Sequence, residues 1–194
     1  MQSKDEFSKT DEFENHEQKY NKEIIPVLQE EFGYRNKLAV PRLEKVTVNV
    51  GISSNKRDDK YLELVKNTLI RITGQAPIFT KARKAISAFK TRQGNIVGAK
   101  VTLRGERMYD FVDKLINISL PRVRDFRGVK TGTVDAQGNL NLGFREHIAF
   151  AEIDTSEVEM LHGLEVSLTT TAKNFKEGLE LFKLLGIPFK KKEN

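Results

Sequence analysis

The chain has no cysteine and no tryptophan. The first absence removes disulfides, thiolate metal ligands and cysteine nucleophiles together, and fits a reducing cytoplasm. The second, with aromatic residues at only 8%, leaves little from which to build a broad surface for stacking nucleobases. No apolar run approaches the ~18 residues of a membrane-spanning helix, and the acidic start is unlike a secretory signal, so no membrane association is expected. Catalytic signatures are missing as well. Neither a Gly-x-Ser-x-Gly elbow nor a phosphate-cradling Gly-x-x-x-x-Gly-Lys loop occurs. The three histidines, His16, His147 and His162, lack metal-ligand spacing; His147 and His162 read as surface or loop residues beside strands. The Asp58-Asp59 pair falls at a helix start, where carboxylates favour the helix dipole. No catalytic residue, metal or cofactor is therefore expected, and an enzyme is the weaker reading.

What is present is charge, unevenly placed. In a chain of 194 residues with 31% charged side chains the net charge is +6. Residues 1 to 18 hold Lys4 and Lys9 against six acids (Asp5, Glu6, Asp11, Glu12, Glu14 and Glu17), a balance of −4 that leaves +10 for the remainder. Between 81 and 107, Lys81, Arg83, Lys84, Lys90, Arg92, Lys100, Arg104 and Arg107 face a single acid, Glu106, for +7. A block of one sign on this scale points to a polyanionic partner, although a solvated basic face would look the same from charge alone. The chain divides into an acidic, disordered extension over 1–18 and one domain over 19–194, long enough to bury its own core.

Periodicity supplies the elements. Tyr20, Ile24, Val27, Leu28 and Phe32 mark an amphipathic helix that Pro26 must either start or kink. Val46, Val48 and Val50 alternate with Lys45, Thr47 and Asn49, the pattern of a half-buried strand. A helix over 58–73 follows, ending at Gly74. A second strand runs over 95–104, then a helix that must finish before Pro121. Strands are also expected through Ile148, Phe150 and Ile153, and through Leu164, Val166 and Leu168. The last helix has Asn174 as N-cap and Glu177 three residues on, and the basic tail at Lys190, Lys191 and Lys192 is expected to fray. Two stretches, about 81–94 and 121–145, are expected to project as loops. The class is α+β: a mainly antiparallel four-stranded sheet, helices packed on one face, the other face open.

Counting by twos gives the open face an inventory of Lys45, Thr47, Asn49, Lys100, Thr102, Arg104, Ser167, Thr169 and Thr171, with Glu165 as its one acid. Ammonium and guanidinium groups suit phosphates, and hydroxyls and amides suit 2′-hydroxyls. Without aromatics, such a face fits the backbone and shape of a folded RNA. Threonine and lysine are common on solvated strands in any case. The residues alone also leave open a free RNA-binding module acting away from any larger assembly.

Longer runs carry a resemblance. They are Val40-Pro41-Arg42-Leu43-Glu44-Lys45-Val46-Thr47-Val48-Asn49-Val50-Gly51, Ile72-Thr73-Gly74-Gln75-Ala76-Pro77, and Thr80-Lys81-Ala82-Arg83-Lys84. They continue with Phe89-Lys90-Thr91-Arg92-Gln93-Gly94, Gly98-Ala99-Lys100-Val101-Thr102-Leu103-Arg104, Pro121-Arg122-Val123-Arg124-Asp125-Phe126-Arg127-Gly128, and Thr169-Thr170-Thr171-Ala172. In this order they resemble the bacterial branch of the universal ribosomal L-five family, from about Tyr20 to Phe189. The resemblance implies a cytoplasmic large-subunit component that binds 5S rRNA in the central protuberance and touches neighbouring large-subunit rRNA. It implies no homo-oligomer. The family's RNA-contacting positions match Lys45, Asn49, Gln75 and Thr102, of which Gln75 comes from the resemblance alone. The family also implies a P-site tRNA contact by the loop bearing Lys81, Arg83, Lys84, Phe89, Lys90 and Arg92. It further implies an intersubunit bridge to a small-subunit head protein of the S-thirteen family through Arg122, Arg124, Arg127 and Lys130. Departures are the acidic extension, Ser53 and Ala88 in place of usual glycines, Ala151 in place of a usual proline, and Val134-Asp135-Ala136-Gln137-Gly138 where the bridging loop usually has Phe first and Gly-Arg in the middle.

Overall fold

The computed structural model describes residues 16–53 and 58–190, so most of the acidic extension and Lys191 and Lys192 of the tail lie outside the described residues. The alternating valines form β1 (Leu43–Gly51), which pairs antiparallel with β3 (Ile96–Leu103) on one side and β5 (Leu164–Thr170) on the other. Two more strands, β2 (Ile78–Lys81) and β4 (Leu140–Phe144), border β3 and β5. The order is β2-β3-β1-β5-β4, all antiparallel.

The sheet therefore has five strands where four are expected, and its membership differs. β2 is only four residues long and shows no buried alternation, since Ile78 is exposed and Phe79 half-buried. β4 does alternate, with Leu140, Leu142 and Phe144 buried, but it closes a glycine-bearing stretch that reads as loop. The expected strand through Ile148, Phe150 and Ile153 does not form. Its apolar side chains are held by turns: the Phe150 amide donates to the His147 carbonyl at 3.2 Å and the Ile153 amide to the Phe150 carbonyl at 3.2 Å. Those groups are spent locally, which leaves no ladder to build.

One face of the sheet is apolar and covered. Val46, Val48, Val50, Ala99, Val101, Leu103, Val166 and Leu168 are buried in a core shared with α3 (Asp59–Thr73), α4 (Glu106–Lys114) and α5 (Phe175–Leu184). At the N-terminal end, α1 (His16–Lys19) passes through a π-type turn (Tyr20–Ile24) into α2 (Ile25–Phe32). The wider turn precedes Pro26, which sits in the first turn of α2, where its missing N–H leaves no carbonyl unpaired within that helix. Helix thus begins inside the stretch assigned to the extension. His16 is buried, with Nε2 2.9 Å from the Leu185 carbonyl and Nδ1 3.1 Å from an Asp113 carboxylate oxygen.

α5 carries the expected N-cap at Asn174, with Glu177 reaching back one residue further, to Lys173. The Glu177 amide donates to Asn174 Oδ1 at 3.0 Å, and the Lys173 amide donates to Glu177 Oε2 at 2.9 Å. The helix is also held close to the turn before β4, because Gly178 meets Gly138 backbone to backbone. A Cβ built on Gly178 would lie 2.4 Å from the Gly138 Cα, an approach only glycine permits. Asn174→Ala should remove one helix-start acceptor and lower unfolding free energy by ~1 kcal/mol, read in a urea titration at unchanged m-value.

His147 and His162 are buried rather than superficial. Their rings stack at 4.0 Å between centroids, and Tyr61 meets His162 edge-on at 6.3 Å. Burial pushes the His147 ring below its ordinary 6.5, outweighing the hydrogen bond with the His162 backbone and the nearby Glu146, both of which act the other way. The unfolded chain therefore binds a proton that the fold disfavours. Stability from this site is intact above pH 6.5 and falls from there down to the lower folded value. Melting temperatures should be level above neutrality and decline on acidification, and His147→Phe should flatten that decline.

Candidate nucleic-acid interface

The polar face is open, and register aligns its side chains in rows. Thr102 on β3 stands opposite Thr47 on β1, which stands opposite Ser167 on β5, which stands opposite Asn141 on β4. The next row joins Ile78, Lys100, Asn49, Glu165 and Gly143 across all five strands. Lys45 pairs with Thr169 at the other side of the first row. Paired residues in a ladder point to the same side, so these groups form one surface. Lys45, Thr47, Asn49, Thr102, Ser167 and Thr169 are half-exposed, while Lys100, Arg104 and Glu165 are exposed. None is buried beneath a helix.

Three details lie beyond period-2 counting. A register irregularity between Leu43 and Lys45 turns Glu44 outward, and its carboxylate lies 3.5 Å from Arg104 Nη1. The rim thus carries a second acid beside Glu165. Thr171 lies past the end of β5, where its Oγ1 accepts from the Arg42 amide at 3.0 Å and its own amide donates to the Arg42 carbonyl at 2.9 Å. Gln75 follows α3 and the left-handed Gly74; its Nε2 donates to the Thr102 carbonyl at 3.3 Å, which fixes it against the edge of β3.

Comparison with known proteins identifies the family. The family model described as "Ribosomal protein L5" matches residues 36–92, and the companion model for the C-terminus of the same ribosomal family matches 96–189. Proteins described as "Large ribosomal subunit protein uL5" align over nearly their whole length. That of Halothermothrix orenii is 50% identical over 172 residues, covering 89% of this chain and 96% of the relative. That of Caldanaerobacter subterraneus subsp. tengcongensis is 50% identical over 174 residues (90% and 97%), and that of Desulforapulum autotrophicum 52% over 171 (88% and 96%). The chain belongs to the ribosomal protein L5 family. It is a component of the large ribosomal subunit in the bacterial cytoplasm and not an enzyme.

In this L5 chain the basic stretch after β2 is a hydrogen-bonded hairpin. Ala82 and Asn95 pair at its base, with the Ala82 amide donating at 2.8 Å. Ile86 and Thr91 exchange bonds of 2.9 and 3.2 Å near its tip, around a 3₁₀ turn (Ser87–Phe89) and a left-handed Lys90. Lys81, Arg83, Lys84, Phe89, Lys90 and Arg92 are all exposed there.

The stretch from Pro121 also exposes Arg122, Arg124, Arg127 and Lys130. It is anchored at Val129, whose amide donates to the Pro188 carbonyl and whose carbonyl accepts from the Lys190 amide, both at 2.8 Å. Gly128 makes that approach possible, since a Cβ there would lie 2.8 Å from the Lys190 nitrogen. Further on, the Asp135 carboxylate accepts from the Gln137 and Asn139 amides at 2.9 and 2.8 Å. Slight burial raises its pKa, but the bonds from Asn139, Gln137 and Gly138 outweigh that and hold it below the usual carboxylate value. The altered 134–138 motif is thus a closed turn leading into β4.

The structure brings Lys45, Thr47, Asn49, Lys100 and Thr102 together on one face, with Arg104 just past β3 beside Glu44 and Gln75 at the edge of that strand, and places the hairpin set and the Arg122–Lys130 set on separate segments. Ile78 and Asn141 extend the face beyond the residues that counting supplies. Asn141 is legible in the Leu140, Leu142, Phe144 alternation, whereas no sequence signal marks Ile78.

Proposed function

We propose that this L5 chain binds 5S rRNA through the open sheet face, within the central protuberance and against neighbouring large-subunit rRNA. The hairpin reaches P-site tRNA, and the Arg122–Lys130 stretch meets a small-subunit head protein of the S-thirteen family. The observation that carries the first part is continuity: Lys45, Asn49, Thr102 and Lys100 lie in adjoining ladder positions, solvent-reachable, with Gln75 tied to the same strand. Two-way hydroxyl and amide groups beside fixed cations match a folded RNA's sugar edge and phosphates. The cationic exposed hairpin suits a phosphate backbone.

Asn49 sits at the centre of the longest row, flanked by Lys100 and Glu165. Asn49→Ala should weaken 5S binding by ~1–3 kcal/mol, because its RNA partner loses a buried bond. Unchanged affinity in a folded variant would remove Asn49 from the interface. If ~6 phosphates are neutralised, log affinity should fall against log salt with a slope of about −4 to −5 in filter binding. A flat salt dependence would argue against the whole reading.

A further inference from the structure

Beneath the hairpin lies a cavity of about 850 Å³, open to solvent at one side. Its walls are apolar, from Ile52 and Val97 at the sheet end and Ile86 and Phe89 on the hairpin. Its rim is cationic, from Arg83, Lys84 and Lys90, and no acid occurs anywhere from 82 to 97. Phe89 is 71% exposed, the most exposed phenylalanine among the described residues, and Ile86 is 48% exposed. Neither supports the core. The tip that carries them is nonetheless fixed by its own bonds, including Thr91 Oγ1 donating to the Phe89 carbonyl at 3.0 Å.

A bare aromatic on a preset turn, a hollow lined with hydrocarbon and a ring of cations are what an unpaired nucleotide requires. The ring stacks on the base, the hollow excludes water from its other side, and the cations hold the flanking phosphates. Duplex RNA keeps its bases stacked and offers this site only phosphates. We infer that the hairpin is a nucleotide-binding site that takes one unstacked base from an RNA loop against Phe89, with its phosphates on Arg83, Lys84 and Lys90. The inference rests on the reading of the hairpin as an RNA contact and adds how it binds. The chain then has two separate modes of RNA recognition: a polar sheet that reads backbone and shape, and a hairpin that selects unpaired loops.

The test uses the full chain and two RNAs with the same stem, one closed by an unpaired loop carrying 2-aminopurine and one fully paired with the same probe. The loop RNA should bind more tightly and its fluorescence should change on binding, while the paired probe should not respond. Phe89→Ala should cost about tenfold in affinity for the loop RNA and erase the fluorescence change, leaving the salt dependence as it was. Phe89→Tyr should restore both. A Lys84→Ala/Lys90→Ala variant should weaken both RNAs alike and flatten their salt slopes. Should Phe89→Ala match the parent in affinity and fluorescence while the double lysine variant weakens binding, the hairpin meets RNA through phosphates alone and the inference falls. Should both variants bind the loop RNA as the parent does, the hairpin is no RNA contact and the underlying reading falls with it. Far-UV spectra and melting curves check that each variant is folded.

Discussion

The parity of β1 is the constraint on which the rest depends. It is paired on both edges, so the direction of each of its side chains is inherited by β3 and β5 and passed on to β2 and β4. Val46, Val48 and Val50 inward oblige Lys45, Thr47 and Asn49 outward, and a slip of one residue would exchange core for interface. Burying the valines against the helices is therefore the same event as presenting the polar row. The hydrophobic effect supplies the energy that assembles a surface whose own groups gain little from being assembled.

That coupling explains what is legible in the sequence. Wherever one strand face is buried, alternation fixes both faces, and the positions read on β1, β3 and β5 stand where counting puts them. The cap at Asn174 is equally visible, because an N-cap acceptor with a carboxylate three residues on is a local pattern with a fixed spacing. The misreadings have physical causes too. β2 is an edge strand with little to bury, so it has no periodic signature. Phe150 and Ile153 are as apolar as strand residues but are held by consecutive turns. Glu44 reaches the rim only through an irregularity that breaks the count. The buried stack of His147 and His162 has no pattern in one dimension, since the two are brought together by the turn between them.

Electrostatics divides the molecule differently from the sheet. The open face mixes cations with hydroxyls, amides and two carboxylates, Glu165 and Glu44, so opposite charges partly cancel and its selectivity must come from geometry. The hairpin has cations and no acids, so its charge is all of one sign. Long-range attraction thus belongs mainly to the projecting part, and fit to backbone and shape to the sheet. This is a sensible division for a chain joining an assembly of many phosphates, where early attraction is cheap and correct seating is not.

The pairing of Val129 with the backbone on either side of Phe189 has a practical side. It is a parallel bridge between the stretch bearing Arg122, Arg124 and Arg127 and the last described residues of the chain. The segment past α5 is thus tied to the arginine-bearing stretch by backbone bonds, so that the two move as one. A substitution at Pro188 or Lys190 would therefore disturb a segment far away in sequence and directly adjacent in space.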